Sequence, residues 1–205
     1  MYIAQILYPV KVLGPGNRIG IWFSGCHHKC EGCSNPELWG QPEKYKTSSA
    51  SLLKMIDSIV STREVTGFTL TGGDPFEQPE SLRELLPLLN RISKDILIYS
   101  GFTLNELKEK GYQDILSLTG VLIDGKYIKE RNNNCFLRGS DNQTIHILNK
   151  ELNDFYKEYI NKGINQVQNF RTKTGFVSVG IHRAEYREEL PLMLKKKGIR
   201  STNHG

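Results

Sequence analysis

Short apolar runs rich in β-branched residues recur along the chain, each bounded by Gly, Pro or Asn. They predict seven strands, at 2–8, 18–23, 66–71, 95–99, 120–124, 144–148 and 175–181. Between several of them, apolar residues recur at helical spacing, which predicts helices over 49–63, over 79–93 and, more briefly, from about 103 to 111. Strands that alternate with helices indicate βαβ crossovers. The expected fold class is therefore α/β with a mainly parallel sheet.

The ends of four predicted strands carry residues that suit a binding site. In chain order these are Cys26, the Gly72–Gly73 pair, Ser100 with Gly101, and Asp124 with Gly125. The carboxyl ends of parallel strands meet at one edge of a sheet, where sites collect in such folds. We therefore expect all four positions to open onto one rim.

Three of the four cysteines, Cys26, Cys30 and Cys33, lie within eight residues in the spacing C-x3-C-x2-C. Such short spacing favours an inorganic centre over a disulfide framework. A four-iron cluster held by only three thiolates has one iron open to another ligand. The alternative is a zinc knuckle in which His27 or His28 supplies the fourth ligand.

The sequence 71–76, TGGDPF, directly follows a predicted strand. Two consecutive glycines let backbone groups approach a ligand more closely than side chains would permit. The simpler interpretation is a turn that joins the strand to the helix at 79. The polar segment 126–143 is expected to be a loop, and Cys135 within it a free thiol.

Composition changes after residue 149. The segment 150–205 contains 11 Lys or Arg against 6 Asp or Glu, so the whole formal charge of +5 belongs to it. Its pattern predicts a helix over 151–163, the seventh strand, and a helix that begins near 182 and ends in lysines. These elements either complete the sheet with a solvated basic face or dock an acidic partner through Lys195, Lys196, Lys197 and Arg200.

Charge and hydropathy also exclude some classes of protein. A charge of +5 on 205 residues is too small for an obligate nucleic-acid binder. No apolar run reaches the roughly 18 residues that a membrane span needs, and the first residues lack the pattern of a signal peptide. We therefore expect a cytoplasmic protein that binds neither nucleic acid nor membrane.

Five motifs taken together resemble the radical S-adenosylmethionine (SAM) superfamily: GCHHKCEGCSNPELW (25–39), TGGDPFEQPE (71–80), YSGFT (99–103), VLIDGKY (121–127) and LRGSDNQ (137–143). Their order is similar to that in the branch of glycyl-radical-enzyme activases that serve anaerobic ribonucleoside-triphosphate reductase. The resemblance covers roughly residues 10–149. It implies a partly open parallel (βα) barrel, with 1–149 as the catalytic domain and 150–205 as a basic C-terminal α/β extension.

The resemblance also implies the cofactors and partners. Cys26, Cys30 and Cys33 would hold one 4Fe–4S cluster, whose open iron binds SAM through its amino and carboxylate groups. An electron from a low-potential donor such as flavodoxin would then yield methionine and a 5′-deoxyadenosyl radical. This radical would take a hydrogen atom from a glycine of a large partner enzyme, the reductase. No catalytic residue beyond the cluster and SAM is implied.

The implied cofactor-binding residues are Gly32, Cys33, Ser34, Gly72, Gly73, Asp74, Ser100 and Asp124. By resemblance, the backbone at 32 and 34 lies near SAM and the glycine pair takes its amino group. Asp74 stands where many members of the superfamily have Glu, but Asp-Pro is similar to this branch. Ser100 reaches SAM or belongs to a plain turn.

Two further residues near the rim carry expectations. His28 is expected to tune the cluster from outside. Asp124 is costly to bury unpaired, so it should meet Lys126, Arg138, SAM or a cation. Two alternative functions stay open at this point. One is a radical SAM enzyme that acts on a small molecule, similar to a deazapurine synthase, and the other is a non-catalytic zinc-binding interaction module.

Overall fold

A six-stranded sheet forms the centre of the computed structural model, which describes residues 1–172, 175–186, 189, 190, 192 and 195. The strands are β1 (Ile3–Val10), β2 (Arg18–Phe23), β3 (Gly67–Gly72), β4 (Ile96–Tyr99), β5 (Val121–Asp124) and β6 (Thr144–Ile147). A separate hairpin consists of β7 (Val167–Thr172) and β8 (Gly175–Gly180). The helices are α1 (Ser49–Val60), α2 (Pro79–Ile92), α3 (Leu104–Glu109), α4 (Gln113–Ser117) and α5 (Asn153–Lys162).

The six strands of the central sheet lie in sequence order. Strands β2 to β5 are parallel, and the edge strands β1 and β6 run antiparallel to their neighbours. The expected α/β class with a mainly parallel sheet is thus confirmed. Because β1 and β6 remain separate edges, the sheet is not closed.

All seven predicted strands are present, and the helices expected over 49–63, 79–93, 103–111 and 151–163 correspond to α1, α2, α3 and α5. One of these strands and one of these α-helices were not predicted. Strand β7 is exposed at every second residue and has no apolar run, and α4 has only five residues, too few to show helical periodicity. The helix expected from 182 falls partly outside the described residues.

Local hydrogen bonds mark the starts of the helices. The Ser48 hydroxyl accepts a hydrogen bond from the backbone N–H of Ser51 at the start of α1. At α3, Thr103 and Glu106 form a reciprocal capping box. The buried faces of α1 and α2 then pack on one side of the sheet through Leu52, Ile56, Leu82, Leu85, Leu86 and Leu89.

The other face of the sheet is covered by the C-terminal part of the chain. Alternate residues of a strand point to opposite faces, and those that point away from α1 and α2 pack into two further clusters. One contains Leu97, Val121, Ile123, Leu137 and Tyr156 of α5. The other contains Val10, Leu13, Trp22, Leu38 and Val179 of β8. No described helix is long and apolar enough to cross a membrane.

A buried ion pair lies at the amino ends of the strands. The guanidinium of Arg18, fully buried, donates to both carboxylate oxygens of Asp95, at 2.6 and 3.0 Å. It also donates to the carbonyl of Phe68 and the hydroxyl of Thr69. Burial holds the pKa of Tyr156 well above its ordinary value, so its hydroxyl stays protonated and donates to Asp95 at 2.6 Å. This network ties α5 to the sheet.

Candidate cofactor site

A pocket of about 310 Å³ lies at the carboxyl ends of the parallel strands. The residues expected at the rim line it together: Cys26, Cys30, Gly32, Cys33, Ser34, Gly72, Gly73, Asp74, Ser100, Gly101 and Gly125. Asp124 is the one expected cofactor residue outside the lining. The structure therefore brings the cysteine triplet and the glycine turn to one place.

The cysteine loop follows β2 and is held by its backbone. The N–H of Cys26 donates to the carbonyl of Trp39 at 3.0 Å, and the N–H of Cys33 to the carbonyl of Cys30 at 3.2 Å. Gly32 has a φ of 70°, a conformation that favours glycine. The short loop can therefore turn and present three thiols to the pocket.

The three thiols of the triplet are free and half-buried. Burial raises the pKa of Cys26 to about 11, although backbone hydrogen bonds from His28 and Lys29 oppose this rise. Burial also raises the pKa of Cys30. Both thiols are therefore protonated at neutral pH until a metal binds and takes the place of the proton.

The glycine turn packs against the cysteine loop with no room for side chains. A Cβ atom on Gly72 would lie 2.4 Å from the carbonyl oxygen of Phe23, and one on Gly73 would lie 2.4 Å from that of Gly25. The N–H of Gly73 donates to Phe23 and that of Asp74 to Gly25, both at 2.8 Å. The paired glycines thus bring two backbone segments together at the pocket.

Asp74 joins two strand ends. Its carboxylate accepts hydrogen bonds from the Ser100 hydroxyl at 3.1 Å, from the N–H of Gly101 at 2.8 Å and from the N–H of Phe76 at 3.0 Å. The Ser100 hydroxyl in turn accepts from the N–H of Phe102 at 3.1 Å. Both side chains are buried, and their hydrogen bonds fix the chain after β4 against the chain after β3.

The His28 ring is buried between the cysteine loop and the turn after β4. Its Nε2 lies 3.2 Å from a carboxylate oxygen of Asp74, and its ring centroid lies 4.6 Å from that of Phe102. Neither ring nitrogen has a hydrogen-bond partner of good geometry among the described residues. A buried polar group in this state is usually satisfied by a bound group or by water.

Replacing Gly101 with alanine should disturb this ring and the cysteine loop that carries it. A Cβ at this position would lie 2.3 Å from the His28 Cδ2 atom, which is far closer than van der Waals contact. Overpacking of this kind costs about 1–3 kcal/mol. We expect a lower free energy of unfolding and less iron bound after reconstitution.

The matched control for this prediction is Gly40→Ala, because a Cβ there has no atom within 4 Å. It should leave both quantities at the wild-type value. Equal iron binding by the two variants would show that the contact with His28 does not hold the cysteine loop.

Asp124 is paired with neither of the two basic side chains, Lys126 and Arg138, that the sequence offered as partners. Its carboxylate accepts a hydrogen bond from the N–H of Leu104 at 2.6 Å and lies 3.0 Å from the Nε2 of His146. Lys126 and Arg138 are not among the partners described for it. The physical reason is the antiparallel pairing of β5 with β6, which sets Asp124 beside the strand that carries His146.

The loop after β5 forms another side of the pocket. The side-chain amide of Gln143 accepts from the N–H of Gly139 at 2.8 Å and donates to the carbonyl of Gly125 at 2.8 Å. Asn142 donates to the carbonyl of Lys126 at 2.8 Å. The motif LRGSDNQ therefore shapes the loop from within, a role that its residue types alone do not reveal.

The histidines beside the cysteines contact carboxylates. The Nδ1 of His27 contacts the carboxylate of Glu77, and His28 faces Asp74. The zinc alternative needs one of these rings as a fourth ligand beside the three sulfurs.

Cys135 is a free thiol that donates to the Asn133 side chain at 2.6 Å, and it lies outside the pocket lining.

One group of pocket residues was not predicted from the sequence. The lining includes Ser178, Gly180, Ile181, His182, Arg183, Ala184, Tyr186 and Leu190 of the C-terminal extension. The only available signal was the predicted strand at 175–181, and a strand pattern does not say what the strand covers. Of the four basic residues considered for docking, only Lys195 lies in the described part of the chain.

Comparison with known proteins agrees with the resemblance seen in the motifs. A family model described as a 4Fe-4S single cluster domain matches residues 12–146. The anaerobic ribonucleoside-triphosphate reductase-activating protein of Vibrio cholerae is 37% identical over 147 residues, which is 68% of this chain and 94% of the relative. The proteins of that name from Escherichia coli K12 and from Enterobacteria phage T4 are 35% and 34% identical, over 69% and 68% of this chain and 96% and 90% of the relatives. The chain belongs to the family of anaerobic ribonucleoside-triphosphate reductase-activating proteins, and it contains a 4Fe–4S single cluster domain.

Proposed function

We propose that the chain uses a 4Fe–4S cluster and SAM to install a glycyl radical on an anaerobic ribonucleoside-triphosphate reductase. The observation that carries this proposal is that Cys26, Cys30 and Cys33 line the same pocket as the Gly72–Gly73 turn. The names of the relatives support the reductase as the partner. When bound, the cluster and SAM supply the 5′-deoxyadenosyl radical chemistry that removes a hydrogen atom from glycine.

The donor set suits such a cluster. Three half-buried thiols face the pocket, and a four-iron cluster with three protein ligands keeps one iron open for the amino and carboxylate groups of SAM. His28, whose buried ring faces Asp74 and makes no hydrogen bond of good geometry among the described residues, would lie beside the cluster and tune it from outside.

The glycine positions suit the approach of SAM to the backbone. Gly72 and Gly73 line the pocket and have no side chain, and Gly32 and Ser34 line it on either side of Cys33. Main-chain groups at these positions would bind the amino group and the methionine part of SAM.

For Asp74 and Ser100 we propose a positioning role. Their polar atoms already bond to each other and to the backbone of Phe76, Gly101 and Phe102, so they hold the two strand ends that face SAM. Asp124 lies outside the lining, and we assign it to the start of α3, where it accepts from the N–H of Leu104.

The remaining parts of the proposal follow from the resemblance. We infer a partly open barrel whose catalytic domain is 1–149 and whose basic extension is 150–205; the end of the family match at residue 146 supports this division. An acidic donor such as flavodoxin suits the positive charge of the extension. A cytoplasmic location suits thiols that must stay reduced to bind iron.

SAM cleavage tests the chemistry directly. After anaerobic reconstitution with iron and sulfide, we expect a brown protein with about one four-iron cluster per chain. On reduction with dithionite it should convert SAM to methionine and 5′-deoxyadenosine, measured by liquid chromatography. Bound zinc without sulfide, together with no 5′-deoxyadenosine, would instead support the non-catalytic zinc-binding module.

A further inference from the structure

The C-terminal extension forms one wall of the pocket. Residues of β8 and of the segment after it line the same cavity as the three cysteines, from Ser178 to Tyr186. The family model ends at residue 146, so this wall lies outside the part of the chain that matches it. The relatives match only 68–69% of this chain, although 90–96% of their own length is covered.

Hydrogen bonds attach this wall to the rest of the chain at two places. The side-chain amide of Gln168 in β7 accepts from the N–H of Lys11 at 3.0 Å and donates to the carbonyl of Pro9 at 2.7 Å. At the second place, Asn132 donates to the carbonyl of His182 at 3.0 Å. The wall is therefore fixed to β1 and to the loop after β5.

Three side chains of the wall form one hydrogen-bonded group, which we call the wall cluster. The Ser178 hydroxyl oxygen lies 2.7 Å from the Tyr186 hydroxyl and 3.1 Å from the Nε2 of His182. The rings of His182 and Tyr186 stack, with centroids 4.1 Å apart. All three residues are half-buried and line the pocket, so polar atoms in a fixed arrangement lie at its edge.

Two molecules must share this pocket if the proposed function holds, namely SAM and the glycine-bearing segment of the partner. Every residue proposed for the cluster and SAM lies between 26 and 100, inside the matched region. The wall cluster lies outside it and contains no thiol or carboxylate. Hydroxyl groups both donate and accept hydrogen bonds, and so match the main-chain N–H and C=O groups of a peptide.

We propose that the wall cluster of Ser178, His182 and Tyr186 binds the main chain of the partner's glycine-bearing segment and holds its reacting Cα in the pocket. This inference rests on the proposed function. It gives the extension a part in partner recognition and leaves the cofactor chemistry to the matched region.

The test uses the variants Tyr186→Phe and Ser178→Ala in the full reconstituted chain, with the reductase of the same organism as the partner. Two quantities are measured: the glycyl radical formed per 5′-deoxyadenosine, and the reductase concentration that gives half the maximal rate. Each variant lacks one hydroxyl. We therefore expect the glycyl radical formed per 5′-deoxyadenosine to fall, and the reductase concentration for half the maximal rate to rise, each by about three- to tenfold.

Two controls separate recognition from folding. Ser178→Thr keeps a hydroxyl and should restore the ratio of radical to 5′-deoxyadenosine. Tyr8→Phe removes a hydroxyl that donates to Glu64 outside the pocket, and it should behave as wild type.

Two results would overturn the inference alone. One is a wild-type ratio of glycyl radical to 5′-deoxyadenosine in both variants. The other is a parallel fall of 5′-deoxyadenosine and radical, which would show that the wall cluster acts on SAM and not on the partner. A wild-type chain that cleaves SAM but forms no radical on the reductase would instead overturn the proposed function.

Discussion

Replacing Cys30 with serine should abolish SAM cleavage by the reconstituted chain. Cys30 lies in the middle of the triplet and lines the pocket. A serine hydroxyl is a hard ligand that stays protonated at neutral pH, so it replaces a thiolate on iron poorly. Changes in groups that only orient metal ligands typically lower metal affinity or activity about 10- to 100-fold. Removal of a ligand should therefore lower the 5′-deoxyadenosine formed by more than about 100-fold.

The matched control for this variant is Cys135→Ser, the same chemical change outside the pocket. The Cys135 thiol donates to the Asn133 side chain, and a serine hydroxyl preserves this donor. Iron, sulfide and 5′-deoxyadenosine should stay at wild-type values. Normal SAM cleavage by Cys30→Ser would show that the proposed set of ligands is wrong.

The second large effect concerns stability. Replacing Asp95 with alanine leaves the guanidinium of Arg18 buried without its carboxylate partner, and it also removes the acceptor of the Tyr156 hydroxyl. Breaking a buried ion pair in this way costs about 3–5 kcal/mol. We expect a loss of this size in the free energy of unfolding, measured by urea titration.

Milder variants keep this prediction testable if Asp95→Ala does not fold. Tyr156→Phe removes one hydrogen bond and should cost about 1 kcal/mol. The exposed Asp57→Ala should change stability by no more than about 0.5 kcal/mol. A change below 1 kcal/mol for Asp95→Ala would contradict the role of the ion pair in joining α5 to the sheet.

The fold class and the rim could be predicted because both follow from local patterns in the sequence. Strands β2 to β5 are buried on both faces, and such strands are continuous apolar runs. Once the strands are parallel, the glycines and cysteines directly after these runs must lie at one edge of the sheet. The rim could therefore be predicted without knowing which distant residues are in contact.

Contacts between distant segments were harder to predict. Apolar periodicity does not show that β1 and β6 run antiparallel to their neighbours, and the antiparallel pairing of β6 brings His146 beside Asp124. The sequence shows a carboxylate at Asp74, but its hydrogen bonds to Ser100 and Gly101 span 26 and 27 residues. Periodicity indicates which face is buried, but it does not identify the neighbour.

The C-terminal wall of the pocket could not be predicted for the same reason, since it is formed by contacts between distant segments. Ser178 lies within β8, and His182 and Tyr186 lie in the segment that follows this strand. Their meeting depends on how the hairpin packs on β1 and on the loop after β5. Composition alone indicated only a basic segment.

The most direct test of the proposed function is electron paramagnetic resonance of the reductase after incubation with the reduced, reconstituted chain and SAM under anaerobic conditions. We expect the doublet of a glycyl radical on the reductase, present only when the chain, SAM and the reductant are all supplied. SAM cleavage without any protein radical would contradict the account and favour a radical SAM enzyme that acts on a small molecule.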